Sequence, residues 1–270
     1  MFNLIKFLLT CDDGYNSPGL LASKKAVENL GEVYVYATET QNTAGGSRMT
    51  VNKPVKYYKR NLLDGTECVS VDGTPVDVVR LALLHDLKDE KPDFVISGIN
   101  IGEQISNSAI IMSGTCSAAF MASCMGIPSL AFGYTPDNEE IKYIHHADHN
   151  GFEHMFDFPQ KVEEKIVKWV LKNGLKGADW LNINIPTKKT DNIKVVRAIR
   201  DGYYDNGIDK RKDHFFNIGL PFKNKIFPEN SDAEWIKNAV TVVPCHVDFT
   251  DHEKLKKLKI LENELKFQEV

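Results

Sequence analysis

The sequence predicts an α/β fold with a mostly parallel, doubly wound sheet and helices on both faces. Two observations carry that expectation. Apolar runs of strand length alternate with amphipathic, helix-length patterns through the first two-thirds of the chain, which is the rhythm of βαβ units. Polar segments rich in Gly, Asn and Asp interrupt that alternation and mark loops.

Taken in order, "LIKFLLT" (4–10) reads as a buried strand. Ser17 can cap a helix with Pro18 at its first position, and Gly31 closes it. "EVYVYA" (32–37) is a second strand, followed by a hairpin-like polar stretch. Residues 75–87 place Val76, Val79, Leu83 and Leu87 on one helical face. "DFVIS" (93–97) and "PSLAF" (128–132) are short buried strands on either side of a small-residue helix over 114–125. Residues 159–172 form an amphipathic helix with Val162, Ile166, Trp169 and Val170 inward, and "WLNINIP" (180–186) is a further strand. Residues 251–270 read as a charged helix with Leu255, Leu258, Leu261 and Leu265 three and four apart. It is either an edge helix docked on its own core or an arm gripping a second subunit.

Composition narrows the function. A chain of 270 residues with 42% apolar content can bury a sizeable core. The balance of 33 basic against 37 acidic residues, without a long Lys/Arg run, excludes electrostatic capture of a nucleic acid polymer. Lys6 breaks the first apolar run, which is too short for a signal core, and no segment approaches a membrane span. Five cysteines, without a CxxC pair, suit a reduced cytoplasm better than a disulfide framework.

In an open α/β sheet the ligand site lies beyond the carboxyl ends of the strands, where the strand order reverses. Three motifs fall at such ends. Asp12-Asp13 follows the first strand, "TETQNTAGGS" (38–47) the second, and "SGIN" (97–100) the third. Asp12 and Asp13 offer hard, charged oxygens suited to Mg²⁺ or Mn²⁺; equally, Asp-Asp-Gly is ordinary turn chemistry. Thr43, Gly45 and Gly46 form either a flexible connection or a hydroxyl ligand with main-chain amides open to an anion. Asn100 is a neutral amide ligand or a turn residue. Ser113-Gly114-Thr115 precedes the small-residue helix, so it is a phosphate cradle at a positive helix end or a plain N-cap. His145 and His149 would share a face if their segment were helical, but "HHADHNGFEH" (145–154) reads as a polar loop beside the site.

Six ordered motifs give the pattern a family: "LLTCDDGYNSPG", "GTPVDVV", "VISGINIGEQI", "SGTCSAA", "LNINIP" and "AVTVVPCHVDFT". From about residue 4 to residue 250 the chain resembles the SurE family (survival protein E), metal-dependent 5′/3′-nucleotidases. The resemblance implies a Rossmann-like α/β domain over residues 1–250 and a C-terminal helical arm, 251–270, used in oligomerisation. It implies hydrolysis of nucleoside 5′- and 3′-monophosphates, and of short polyphosphate in some members. It also implies one divalent cation per subunit, Mg²⁺ or Mn²⁺, and a homodimer or homotetramer. Carried over by motif, the metal ligands fall on Asp12, Asp13, Thr43 and Asn100, with Asp12, Asp13 and Asn100 catalytic. The phosphate-binding turn falls on Ser113, Gly114 and Thr115. Two departures stand out. Cys11 replaces the asparagine usual before the aspartates, and the loop 38–43 lacks the family's basic residue. A nucleotide-binding or regulatory module with little turnover is therefore the alternative.

Overall fold

β1 (Lys6–Thr10) shows why this sheet is buried on both sides. Successive side chains of a strand point to opposite faces. Phe7 and Leu9 enter one apolar cluster and Leu8 enters another. A continuous apolar run is what such a strand needs. The computed structural model of the chain describes residues 4–136, 151–221 and 225–264, and the element labels below cover those residues.

After β1 come α1 (Pro18–Val27), β2 (Glu32–Thr38), β3 (Tyr57–Asn61), β4 (Glu67–Val71) and α2 (Pro75–Leu81). Then follow β5 (Phe94–Ile101), α3 (Asn107–Met112), α4 (Gly114–Cys124), β6 (Ser129–Tyr134), α5 (Asp157–Asn173) and β7 (Trp180–Ile185). The remainder comprises β8 (Ile193–Val195), a hairpin of β9 (Tyr204–Arg211) and β10 (His214–Pro221), α6 (Asp232–Trp235) and β11 (Val240–Cys245), then α7 (His252–Leu258) and α8 (Leu261–Glu264).

The main sheet has nine strands in the order β3-β4-β2-β1-β5-β6-β7-β11-β8. Its pairs are parallel from β4 through β7; β3 and β11 pair antiparallel with β4 and β7. From β1 the chain builds outward through β2 and β4, then returns to build the other way through β5, β6 and β7. The switch point therefore lies between β1 and β5. Helices α1 and α5 cover one face, while α2 and α4 cover the other.

Local sequence explains the two helices that frame the switch point. Ser17 caps α1 by accepting from Gly19 N–H, and Pro18 occupies the first turn. A side chain at Gly19 would collide with the Ile99 carbonyl, so only glycine lets α1 start against β5. Ser113 caps α4 through Cys116 N–H at 3.1 Å.

Three expectations need correction. Trp169 is 50% exposed, because the buried stripe of α5 runs through Val162, Glu163, Ile166, Val167 and Val170. Glu163, not Trp169, is the inward residue. The C-terminal helix is two short ones, and Leu255, Leu258 and Leu261 remain 45%, 59% and 45% exposed. Leu265 lies outside the described residues. The third strand is also longer than expected. β5 continues through the SGIN segment to Ile101, with a register shift between Ser97 and Asn100.

Candidate active site

The acidic pair sits where the topology directs a ligand. Asp12 and Asp13 follow β1 directly and are 3% and 2% exposed. Main chain and side chains hold both in place. Thr115 donates its hydroxyl to Asp12 Oδ1. Ile101 N–H, at the end of β5, donates to Asp13 Oδ2 at 2.7 Å. The Gln41 side chain lies close enough to Asp13 to lower its pKa.

Burial raises the pKa of both carboxyls, and the charge of Asp12 raises Asp13 further. Among the described residues no Lys or Arg forms an ion pair with either aspartate. Asp13 Oδ1 is fully buried and has no hydrogen-bond partner. Two adjacent buried carboxylates with an orphaned oxygen make an uncompensated negative site, which is costly unless a cation or proton completes it.

Loop 38–47 is pinned on both sides of that pair. Asn42 N–H donates to the Asp12 carbonyl at 2.7 Å, and Gly46 N–H to the Met112 carbonyl at 2.8 Å. Thr43 lies exposed between these two anchors. Glu39, at the loop's start, is held by Arg60 of β3 and by the Ser70 hydroxyl. Asn100 donates its amide nitrogen to the Gly102 carbonyl at 3.0 Å, which leaves its Oδ1 as the acceptor end. The structure thus brings Asp12, Asp13 and the start of α4 together. Thr43 and Asn100 are chain neighbours of Asn42 and Ile101, whose N–H groups bond the acidic pair, but neither side chain bonds an aspartate.

Gly114 is where the helix meets the acid. A Cβ there would lie 2.5 Å from Asp12 Oδ2, so glycine alone allows α4 to start this close. The Ser113 hydroxyl is engaged as the helix cap and the Thr115 hydroxyl on Asp12. The anion-attracting element left at this turn is main-chain N–H and the positive end of α4.

Cys11 is fully buried beneath the pair. Its sulfur accepts from Asp13 N–H at 3.4 Å and lies 3.9 Å from Asp13 Oδ2. Burial first, then the charges of Asp13 and Asp12, push its thiol pKa far up. It fills space and steadies Asp13 as a neutral thiol.

The two carboxylates, one of them with a free buried oxygen, are donors of the kind a hard divalent cation takes. No cluster of three or more His, Cys, Asp or Glu occurs among the described residues, so the set depends on neutral oxygens for completion. His145, His146 and His149 lie outside the described residues. His154 bonds the Gly151 carbonyl at 3.0 Å.

Sequence reasoning missed Gln41, whose contact with Asp13 depends on the pinning of its loop. It also passed over the buried amides Gln104, Asn182 and Asn184 beside Asn100. The signal for two of them was visible as asparagines inside the apolar strand "WLNINIP".

Two cavities lie elsewhere on the sheet, and neither is lined by the acidic pair. The larger, about 810 Å³, is mostly apolar and lined by Phe120, Trp180, Cys245 and Phe249, reaching Ser47 and Cys116 at one end. Trp180 opens β7, so this cavity belongs to the amino end of that strand. The smaller, about 400 Å³, lies past the carboxyl ends of β5, β6 and β7 between Glu103, Thr135, Thr187, Lys188 and Tyr203.

A doubly wound, Rossmann-like α/β sheet carrying a buried acidic pair at its switch point is the class that fold and site define. Residues 7–206 match the family model described as Survival protein SurE, and the chain belongs to that family. It is 38% identical over 254 residues to a 5′-nucleotidase SurE from Methanothermobacter thermautotrophicus, covering 93% of this chain and 89% of that protein. A 5′-nucleotidase SurE from Aquifex aeolicus is 34% identical over 267 residues, covering 95% and 98%. The crystal structure of the SurE protein from Aquifex aeolicus superposes with a TM-score of 0.76 at 33% identity, covering 95% of this chain and 99% of that one.

Proposed function

We propose that this chain is a divalent-metal-dependent phosphomonoesterase that hydrolyses nucleoside 5′-monophosphates to nucleoside and phosphate. Its 3′ esters and short polyphosphate are further substrates. The single observation that carries this reading is the buried, unneutralised Asp12–Asp13 pair with Asp13 Oδ1 left without a partner. The relatives named 5′-nucleotidase SurE support the substrate class.

In this reading one Mg²⁺ or Mn²⁺ per subunit is held by Asp12, Asp13, Thr43 and Asn100. The bound cation supplies Lewis-acid activation of the phosphoryl group and of water. The chain's own residues do the remaining work. Thr115 and Ile101 N–H fix the two carboxylates, so that little reorganisation accompanies the reaction. Ser113, Gly114 and Thr115 form the turn that receives the phosphate oxygens at the positive end of α4. The nucleoside extends toward the smaller cavity. Neighbouring strands are about 4.8 Å apart, so β6 lies about 10 Å and β7 about 14 Å from β1, which carries the acidic pair.

Residues 1–250 form the catalytic domain in this reading, and 251–270 an arm that joins a homodimer or homotetramer. The exposed Leu255, Leu258 and Leu261 support that role. No helix among the described residues is long and apolar enough to cross a membrane, and all five cysteines are free. In this reading the protein works in the cytoplasm on small nucleotides, with neither membrane nor nucleic acid polymer as partner.

One observation favours a second reading, a nucleotide-binding module with little turnover: a thiol stands beside Asp13 where the family has an amide. Phosphate release from a nucleotide panel with Mn²⁺, Mg²⁺ or EDTA separates the two. Release that EDTA abolishes supports the phosphatase; nucleotide binding without release supports the module.

A further inference from the structure

β7 carries two residues that its position does not call for. It lies inside the sheet between β6 and β11, and all six of its residues are buried. Asn182 and Asn184 are both fully buried in it. Amides in such a strand are unfavourable unless each polar atom is satisfied. Both are satisfied largely by one residue outside the strand. Gln104 N–H donates to Asn184 Oδ1 at 2.6 Å. The Gln104 carbonyl accepts from Asn182 Nδ2 at 2.8 Å and from Asn184 Nδ2 at 3.3 Å. Asn182 Oδ1 accepts in turn from the Cys116 thiol at 3.6 Å, in the first turn of α4.

Gln104 leads back to the acidic site. Its side-chain nitrogen donates to the Gly102 carbonyl at 3.2 Å. The same carbonyl accepts from Asn100 Nδ2 at 3.0 Å. That bond decides which end of the Asn100 amide is the free acceptor, because a primary amide has one oxygen and one nitrogen end.

We propose that Gln104, Asn182 and Asn184 are positioning residues that lock segment 102–104 and thereby orient the Asn100 amide oxygen toward the cation. The inference rests on the reading of Asn100 as a ligand. It gives the "LNINIP" motif a role: β7 relays the rigidity of the sheet centre to a ligand three strands' width from β11. Outer partners of metal ligands act in this way, by fixing ligand direction ahead of binding.

Calorimetric titration of the metal-free protein with Mn²⁺ tests this without reference to turnover. Asn184→Leu removes the bonds to Gln104 N–H and carbonyl with little change in volume. Gln104→Met removes only the side-chain donor to Gly102. Both variants should bind Mn²⁺ about 10–100-fold more weakly, with an unchanged KM for a nucleoside monophosphate at saturating Mn²⁺. Wild-type Mn²⁺ affinity in the folded variants, even with a lowered Tm, would overturn the proposal, because a merely structural role moves the Tm alone. If Asn184→Leu does not fold, Gln104→Met decides: weaker binding supports the network and unchanged binding overturns it. Asp13→Asn serves as the reference. If it binds Mn²⁺ like the wild type, the cation site itself fails and the network falls with it. If it loses binding while both network variants retain it, only the network is wrong.

Discussion

Asp13 is the residue on which the account turns, because its Oδ1 is a buried carboxylate oxygen without a partner among the described residues. Its neighbour Asp12 raises its pKa further. A buried carboxyl with a raised pKa stabilises the fold below its unfolded value and loses that contribution as pH rises through the folded one. Metal-free protein should therefore lose stability as pH rises from acid to neutral, and Asp13→Asn should lessen that loss. Cys11 gives a separate test. Its sulfur is a weak partner for Asp13, and an asparagine amide is a stronger donor in the same place. Cys11→Asn should preserve or raise phosphate release with every metal; a large loss with every metal would show that the thiol does more than fill space. Legibility differed sharply among these residues. Two carboxylates at a strand end were visible as a candidate, but Asp-Asp-Gly reads equally as a turn until its burial is known. Gln41 announced nothing, because a glutamine in a loop has no pattern until Asn42 N–H, bonded to the Asp12 carbonyl, brings the loop over the site.

At the scale of elements, the interface of α1 and α5 holds a group the chemistry does not use. Glu163 is fully buried in α5, with Oε1 accepting from the Ser23 hydroxyl of α1 at 2.6 Å and Oε2 unpartnered. Burial pushes its pKa up to about 8. The unfolded carboxyl titrates near about 4.3, so this residue costs stability progressively as pH climbs from there to about 8 and no further above it. The Tm of Glu163→Gln should rise above that of the wild type by a margin that grows from about pH 5 and levels off by about pH 9. Parallel curves would mean that Glu163 is already charged in the fold. This element also shows where periodicity misleads. The three- and four-residue spacing fits Trp169 into an apolar stripe, but tertiary packing turned the helix so that a carboxyl went inside. β5 erred the other way: "DFVIS" marked the strand, yet pairing with β6 carried it on through Asn100 to Ile101. That extension aims Ile101 N–H at Asp13.

For the whole molecule, the doubly wound sheet was readable, because strand–helix alternation fixes the switch point, and the acidic pair does follow the strand beside it. The antiparallel β11 and the edge strand β8 were not readable, since each depends on pairings distant in sequence. The C-terminal arm was half readable: its leucines were evident, but not that α7 and α8 would leave them exposed. Deleting residues 251–270 should lower the mass measured by light scattering if those leucines cross a subunit boundary. An unchanged mass with a lowered Tm would place them on their own subunit. The central claim is that the Asp12–Asp13 pair holds a cation required for phosphomonoester hydrolysis. Its most direct test is phosphate release from a nucleoside 5′-monophosphate by EDTA-stripped protein, before and after Mn²⁺ is restored, for the wild type and Asp13→Asn in parallel. The account predicts no release before restoration, full recovery in the wild type, and a deficit of several orders of magnitude in folded Asp13→Asn. Release that survives stripping, or recovery in Asp13→Asn equal to the wild type, would contradict it.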